Sequence, residues 1–253
     1  MPGVNSSERY HLAAPLPSAA GWRRALALDR RPGASGPVVL AFAPAALLED
    51  AARLAALVRD AEAAARVAHP NVQPVLGLET VDDQLALVEP YCAGTTLRAV
   101  LDGAGRLPPD LAVRVAVDAC AGLGAIHAVD PGDGAALAHG GVSAERLLLT
   151  EEGVVRVAGI GTGAGRSAAE DVRALAAVVH EALAGEPPGS PAAPLEVPGV
   201  SPALAAVVDG ALEGEGAFPS AAAFAAALSA AVPPAPGAAL AAYVEAARPA
   251  APE

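Results

Sequence analysis

Lysine is absent from this chain: all sixteen basic residues among its 253 are arginine. Chemistry that runs through lysine, whether a Schiff base or a lysine clamp on phosphate, is therefore excluded. Aromatic residues are scarce, at 3% against 53% hydrophobic types, and much of the apolar content is alanine. The core is expected to consist of closely spaced helices rather than large aromatic anchors. Positive charge is also in deficit. A net charge of −12 and a pI near 4.8 argue against nucleic acid or anionic membrane as a partner, since both need a basic face. The two cysteines, Cys92 and Cys120, have no C-x-x-C spacing and read as buried thiols in a reducing cytosol. The five histidines are scattered, with no zinc-type spacing, so no metal site is expected. No apolar run of about eighteen residues occurs, and the start MPGVNSSERYHL lacks a charged-then-apolar leader. These absences predict a cytoplasmic protein with no membrane insertion.

What is present falls into two compositional halves. Tyr10–Leu16, Trp22–Asp29 and Val38–Phe42 read as strands, the last two joined by the turn-rich RRPGASG. Glu49–Ala68 has helical spacing, with Leu54, Leu57, Ala61 and Ala64 on one side. His69-Pro70-Asn71 breaks it, and Val72–Glu79 and Gln84–Glu89 follow as strands around a Thr80–Asp83 turn. After that the pattern becomes helical: Thr96–Leu101, Pro109–Ala128, Ala168–Ala184, Pro202–Leu212 and Ser220–Val232. Between the second and third of these lies LAHGGVSAERLLLTEEGVVRVAGIG (137–161), a polar turn with one histidine between apolar runs. The Pro-rich segment Gly185–Pro202 and the tail from Pro233, with one short helix near Ala238–Ala247, read as lying outside the core, which makes them candidate contact surfaces.

Strands around one helix, then a long helix, a polar hairpin and more helices: over residues 8–232 this order resembles the catalytic domain of bacterial Ser/Thr protein kinases. The resemblance is carried by His69-Pro70-Asn71, LVEPYCAGTTL (87–97), His139 with Leu147-Leu148-Leu149, EDVRALAAVVHEALAGEPP (170–188) and ALEGEGAFPSAAAFAAAL (211–228). It implies an α+β, bilobal protein-kinase-like fold. A 1–7 extension precedes a small β-rich lobe (8–90), a helical lobe (91–232) and a Pro/Ala-rich tail (233–253). Kinase chemistry uses a strand lysine, a helix glutamate, a catalytic-loop aspartate, an asparagine and a DFG aspartate. The resemblance places these on Ala41, Asp60, Gly141 of His139-Gly140-Gly141, Arg146 and Gly159 of Gly159-Ile160-Gly161. The glycine-rich phosphate loop falls on PSAAGW (17–22), with its one glycine out of register. Only ten residues separate Gly161 from Asp171, a shortened activation segment.

The expectation from these replacements is a pseudokinase that is not an enzyme and has no catalytic, cofactor-binding or metal-binding residues and no cofactor. It would act as a protein–protein interaction scaffold or as an allosteric regulator of an active kinase or other signalling protein. The alternative is a small-molecule or nucleotide sensor using the residual interlobe cleft. ATP binding is not expected, although the carbonyl of Pro90 and the N–H of Cys92 fall where adenine is recognised. Glu89 falls at the back of that pocket. Buried there it would repel a triphosphate and its pKa would rise; an exposed strand-end glutamate is the other reading. Asp171 aligns with the family's buried central-helix aspartate and is expected to accept backbone N–H bonds near His139–Gly141. GIGTGA (159–164) matches a dinucleotide fingerprint in form, but EPPGSPAAPLEVP follows where a second strand and acid are needed. Its reading is a shortened glycine-rich linker.

Overall fold

The computed structural model describes residues 9–19, 21–34, 36–132, 134, 136–160, 167–213 and 217–247. The 1–7 extension, the end of the tail, and residues 161–164 of the fingerprint-like GIGTGA, with most of the short activation segment, lie outside them.

Strands β1 (Tyr10–Ala19), β2 (Trp22–Asp29), β3 (Pro37–Phe42), β4 (Gly77–Val81) and β5 (Gln84–Pro90) form one antiparallel sheet in the order β1-β2-β3-β5-β4. β1 is longer than predicted and lies at the sheet's edge. Its pairing with β2 shifts register after Leu12 and after Leu16. Pro15 and Pro17 have no N–H to donate, and only an edge strand tolerates that. The segment aligned with the phosphate loop is thus the end of a hairpin, turning at Gly21 with φ of +82°. β4 begins later than expected. The predicted turn contracts to Asp82 and Asp83, both left-handed at φ 48° and 59°, in a two-residue hairpin without glycine.

β3 is buried on both faces. Val38, Leu40 and Phe42 join a cluster with Tyr10, Ala27 and Val88 on one side of the sheet, while Ala41 joins the core that continues into the other lobe. The predicted helix Glu49–Ala68 is the shorter α2 (Ala51–Ala64), and an unforeseen single turn, α1 (Ala45–Leu48), precedes it. Asp50 separates them, its carboxylate accepting the N–H groups of Ala52 and Arg53 at 3.0 Å. A cap of this kind contributes about 1 kcal/mol. The predicted face holds: Leu57, Ala61 and Ala64 are buried and Leu54 packs against the core.

His69-Pro70-Asn71 docks this lobe on the next. The Asn71 side chain donates to the Val155 carbonyl at 2.9 Å, and its own carbonyl accepts from Val157 N–H at 2.9 Å. Gly122 makes the approach possible, since a Cβ there would lie 2.3 Å from the Asn71 carbonyl oxygen.

The helical lobe is built around α4 (Pro109–His127), which packs against α5 (Ala168–Ala184) and α7 (Ala221–Ala231). α3 (Leu97–Ala104) starts at Thr96, whose side chain caps it. α5 begins with a reciprocal capping box between Ser167 and Glu170. α6 (Pro202–Glu213) packs on α5. A second sheet, β6 (Gly94–Thr96), β7 (Leu147–Thr150) and β8 (Val155–Val157), carries the quoted hairpin. Cys120 is buried in α4, and burial pushes its thiol up to about 12.

The tail corrects the sequence reading. α8 (Gly237–Ala247) packs on α3, α4 and β7, with Leu240 and Val244 in the core. Alanine-rich composition disguises this, because two buried aliphatics suffice to seat a helix whose remaining contacts are small. The Gly185–Pro202 segment is also anchored. Leu195 is buried, and its N–H is held by Asp209 at 3.1–3.2 Å.

Candidate functional site

The cleft between the lobes is lined from above by β1–β3 and from below by β7 and the loop after Leu137. A short 3-10 turn, Ala144–Arg146, carries Arg146 into it.

Asp171 organises the loop. It is 1% exposed, and its two oxygens accept the His139 N–H at 2.7 Å and the Gly140 N–H at 2.8 Å. His127 Nε2 lies 2.9 Å from the same carboxylate. The expected brace is present, and it adds a histidine that sequence reasoning missed. Gly140 is left-handed at φ +73°, which lets consecutive N–H groups converge on one carboxylate. His139 is fully buried. Its Nδ1 accepts the Gly141 N–H at 3.2 Å, which leaves the proton on Nε2 to be donated to the Ala158 carbonyl at 2.8 Å. Burial lowers its pKa to about 4, so the ring is neutral near pH 7. It holds the loop to β8's exit and has no free nitrogen for proton transfer.

At the positions that the resemblance assigns to clamp, base and metals, the cleft presents Ala41, Gly141, Arg146 and Gly159. Ala41 sits mid-β3 opposite Leu87. Asp60 is not brought to it, and instead pairs with its neighbour Arg59 at 2.9 Å. Arg146 is 5% exposed, and its Nη1 reaches the Gly159 carbonyl at 3.5 Å. Burial lowers its pKa, opposed by Glu89 and Glu145.

Glu89 is buried at 3% exposure, deciding between the two readings of it. Desolvation raises its pKa; Arg24, the Gly159 N–H (3.1 Å) and Arg146 pull the other way. Arg24 on β2 and Gln73 were not foreseen. Gln73 donates from Nε2 to the Pro90 carbonyl at 2.5 Å, which occupies the acceptor expected to remain open to adenine. The available signal was a lone amide in the apolar run VQPVL.

Two cavities result. One of about 30 Å³ lies between Trp22, Arg24, Ala41, Glu89 and Arg146. The other, about 230 Å³, includes Leu16, Val39, Leu148, Gln73, Arg24 and Glu89 in its walls. Magnesium takes hard oxygen ligands. The carboxylates here are Glu89, already hydrogen-bonded and driven toward its neutral form, and Glu145, and two guanidinium groups share the space. These walls do not fit a divalent cation. Among the described residues, no group of three or more His, Cys, Asp or Glu could hold a metal ion, and no helix is long and apolar enough to cross a membrane.

Comparison with known proteins agrees with this frame. Residues 46–174 match the family model described as protein tyrosine and serine/threonine kinase. The probable serine/threonine-protein kinase CPE1738 of Clostridium perfringens is 32% identical over 103 residues, 41% of this chain and 14% of that protein. The serine/threonine-protein kinase PkaB of Streptomyces coelicolor is 35% identical over 121 residues, 48% of this chain and 28% of that protein. The chain thus spans less than a third of these relatives' length. The kinase domain of Mycobacterium tuberculosis PknI, crystallised as a double mutant, superposes with a TM-score of 0.75 at 23% identity, covering 90% of this chain and 99% of that one, a likeness of fold. These matches correct the expectation that the chain is not an enzyme. The matched family and the named relatives are kinases, which points to an enzyme.

Proposed function

Because this chain belongs to the protein tyrosine and serine/threonine kinase family, we propose that it works in bacterial signalling as an allosteric regulator that acts by contact with a partner protein. The reading rests on one observation: Asp171 braces the family's loop, while Gln73 and Glu89 in the cleft each bond to the chain's own backbone. Asp171 holds the loop at His139 and Gly140. Gln73 holds Pro90, and Glu89 holds Gly159. A two-lobed body whose loop is braced in this way is suited to transmitting a change of lobe arrangement to a neighbour.

The test is a reconstitution with active Ser/Thr kinases from the same cell. The expected result is a several-fold change in the initial rate of one of them on addition of stoichiometric protein. Phosphate transfer by this chain alone to generic substrates is measured in parallel. Turnover in the family's range of about 1–100 s⁻¹, with no effect on those kinases, would replace the regulatory reading with that of a stand-alone kinase.

A further inference from the structure

Arg24 comes from the sheet lobe and Arg146 from the helical lobe, and both line the 30 Å³ cavity. Among the described residues the Arg24 side chain has no hydrogen-bond or ion-pair partner. Arg146 has only the long contact to Gly159, and no carboxylate lies within ion-pair distance. Two guanidinium groups, one of them buried, line one half-open space together with Glu89 and Glu145, and neither is in an ion pair with them, so both can receive an oxyanion. Their planar forks match carboxylate and phosphate oxygens, and the low-dielectric surroundings strengthen the attraction.

The adjoining 230 Å³ cavity shares Arg24 and Glu89 with the first and is walled by Leu16, Val39 and Leu148. It too contains an unmet group. Gln73 is 2% exposed, and its Oε1 has no hydrogen-bond partner among the described residues. Its amide orientation is not free, because turning it would set Oε1 against the Pro90 carbonyl, 2.5 Å from the present Nε2. A buried amide oxygen without a donor costs roughly as much as a lost hydrogen bond. A ligand N–H or O–H would restore it.

We propose that the interlobe cleft binds a small single-ring oxyanion without a metal ion. The ligand is a single ring carrying a carboxylate or phosphomonoester toward Arg24 and Arg146 and an N–H or O–H donor toward Gln73 Oε1. Both cavities fall below the roughly 300–1,000 Å³ of sites for drug-sized ligands, which limits the body to about one ring. The arginines supply the positive charge that a metal would otherwise bring. Glu89 and Glu145 line the same space; burial disfavours the Glu89 carboxylate, while Arg24, the Gly159 N–H and Arg146 favour it.

The experiment is calorimetric titration and thermal shift of the full chain in EDTA with 4-hydroxybenzoate, benzoate, phenyl phosphate and the neutral phenol. At least one of the anions is expected to bind saturably and phenol is not. The anion that binds identifies the oxyanion as carboxylate or phosphomonoester. Arg24→Gln and Arg146→Gln should each weaken it by about tenfold or more. Gln73→Leu should weaken 4-hydroxybenzoate while leaving benzoate unchanged. Should Arg146→Gln not fold by circular dichroism, Arg24→Gln decides alone. The proposal is overturned if none of the anions binds, if phenol binds as well as they do, or if the folded arginine variants bind like the parent. The isolated chain is used throughout, so failure here leaves the partner-contact reading to its own test.

Discussion

A Cβ atom on Gly141 would lie 2.4 Å from Nη1 of Arg146, so the glycine at the catalytic-loop position and the buried arginine presuppose one another. The φ of Gly141 is not left-handed, and the guanidinium is the main obstacle to a side chain there. Gly141→Ala should therefore destabilise by about 1–3 kcal/mol through overpacking. In an Arg146→Ala background most of that cost should vanish. A double-mutant cycle by urea denaturation measures the coupling, and additive effects would refute it.

Asp171→Ala removes the acceptor for two buried N–H groups at once. Each orphaned donor costs about 1–3 kcal/mol, so a loss of about 2–6 kcal/mol is expected by chemical denaturation. A change within 1 kcal/mol would mean that the loop is held by other contacts.

His139 makes stability fall in mild acid. Its folded pKa, lowered to about 4 by burial, lies below the ordinary value of 6.5. Below pH 6.5 the unfolded chain takes up a proton that the folded ring refuses. The contribution is complete above 6.5 and is lost as pH falls toward 4. The slope should be about 1.4 kcal/mol per pH unit, totalling about 3 kcal/mol. His139→Gln should flatten that slope relative to the parent when both are denatured at pH 5 and pH 7.

Glu89 works in the opposite direction. Burial holds its folded pKa above the unfolded value, so the penalty for its ionised form grows as pH rises. Glu89→Gln keeps an acceptor for the Gly159 N–H. It should stabilise the protein at pH 8 and lose that advantage toward pH 4. Equal effects at both pH values would show that the carboxyl is not desolvated as described.

The docked tail is testable by truncation after Val232. Leu240 and Val244 are buried against the helical lobe, and removing both should cost about 3–6 kcal/mol at about 1.5–3 kcal/mol each. Gly153→Ala should act in the same direction, because its Cβ would collide with the Gly237 carbonyl. Unchanged melting of the truncated protein would mean that α8 does not stay docked.

The brace from Asp171 was legible through the family resemblance, which aligns it with a buried central-helix aspartate; its place at the head of α5 alone also fits an ordinary first-turn acid favoured by the helix dipole. The resemblance put Asp60 at the position of the helix glutamate; with alanine at the strand position it has no lysine to orient, and it pairs with Arg59. Arg24 looked like an ordinary strand arginine, and Gln73 like an interruption in an apolar run. Nothing local distinguishes a guanidinium that points into a cleft from one in solvent.

By itself the sequence determined the order and kind of most elements, the core face of α2, and the absence of lysine chemistry, because periodicity, caps and composition are local properties. Only the tertiary structure decided that Arg24, Gln73, Glu89 and Arg146 share one cleft, and that the tail belongs to the core. Those residues meet through the docking of two lobes, and an alanine-rich chain carries too little side-chain bulk to mark in advance which of its surfaces will close on one another.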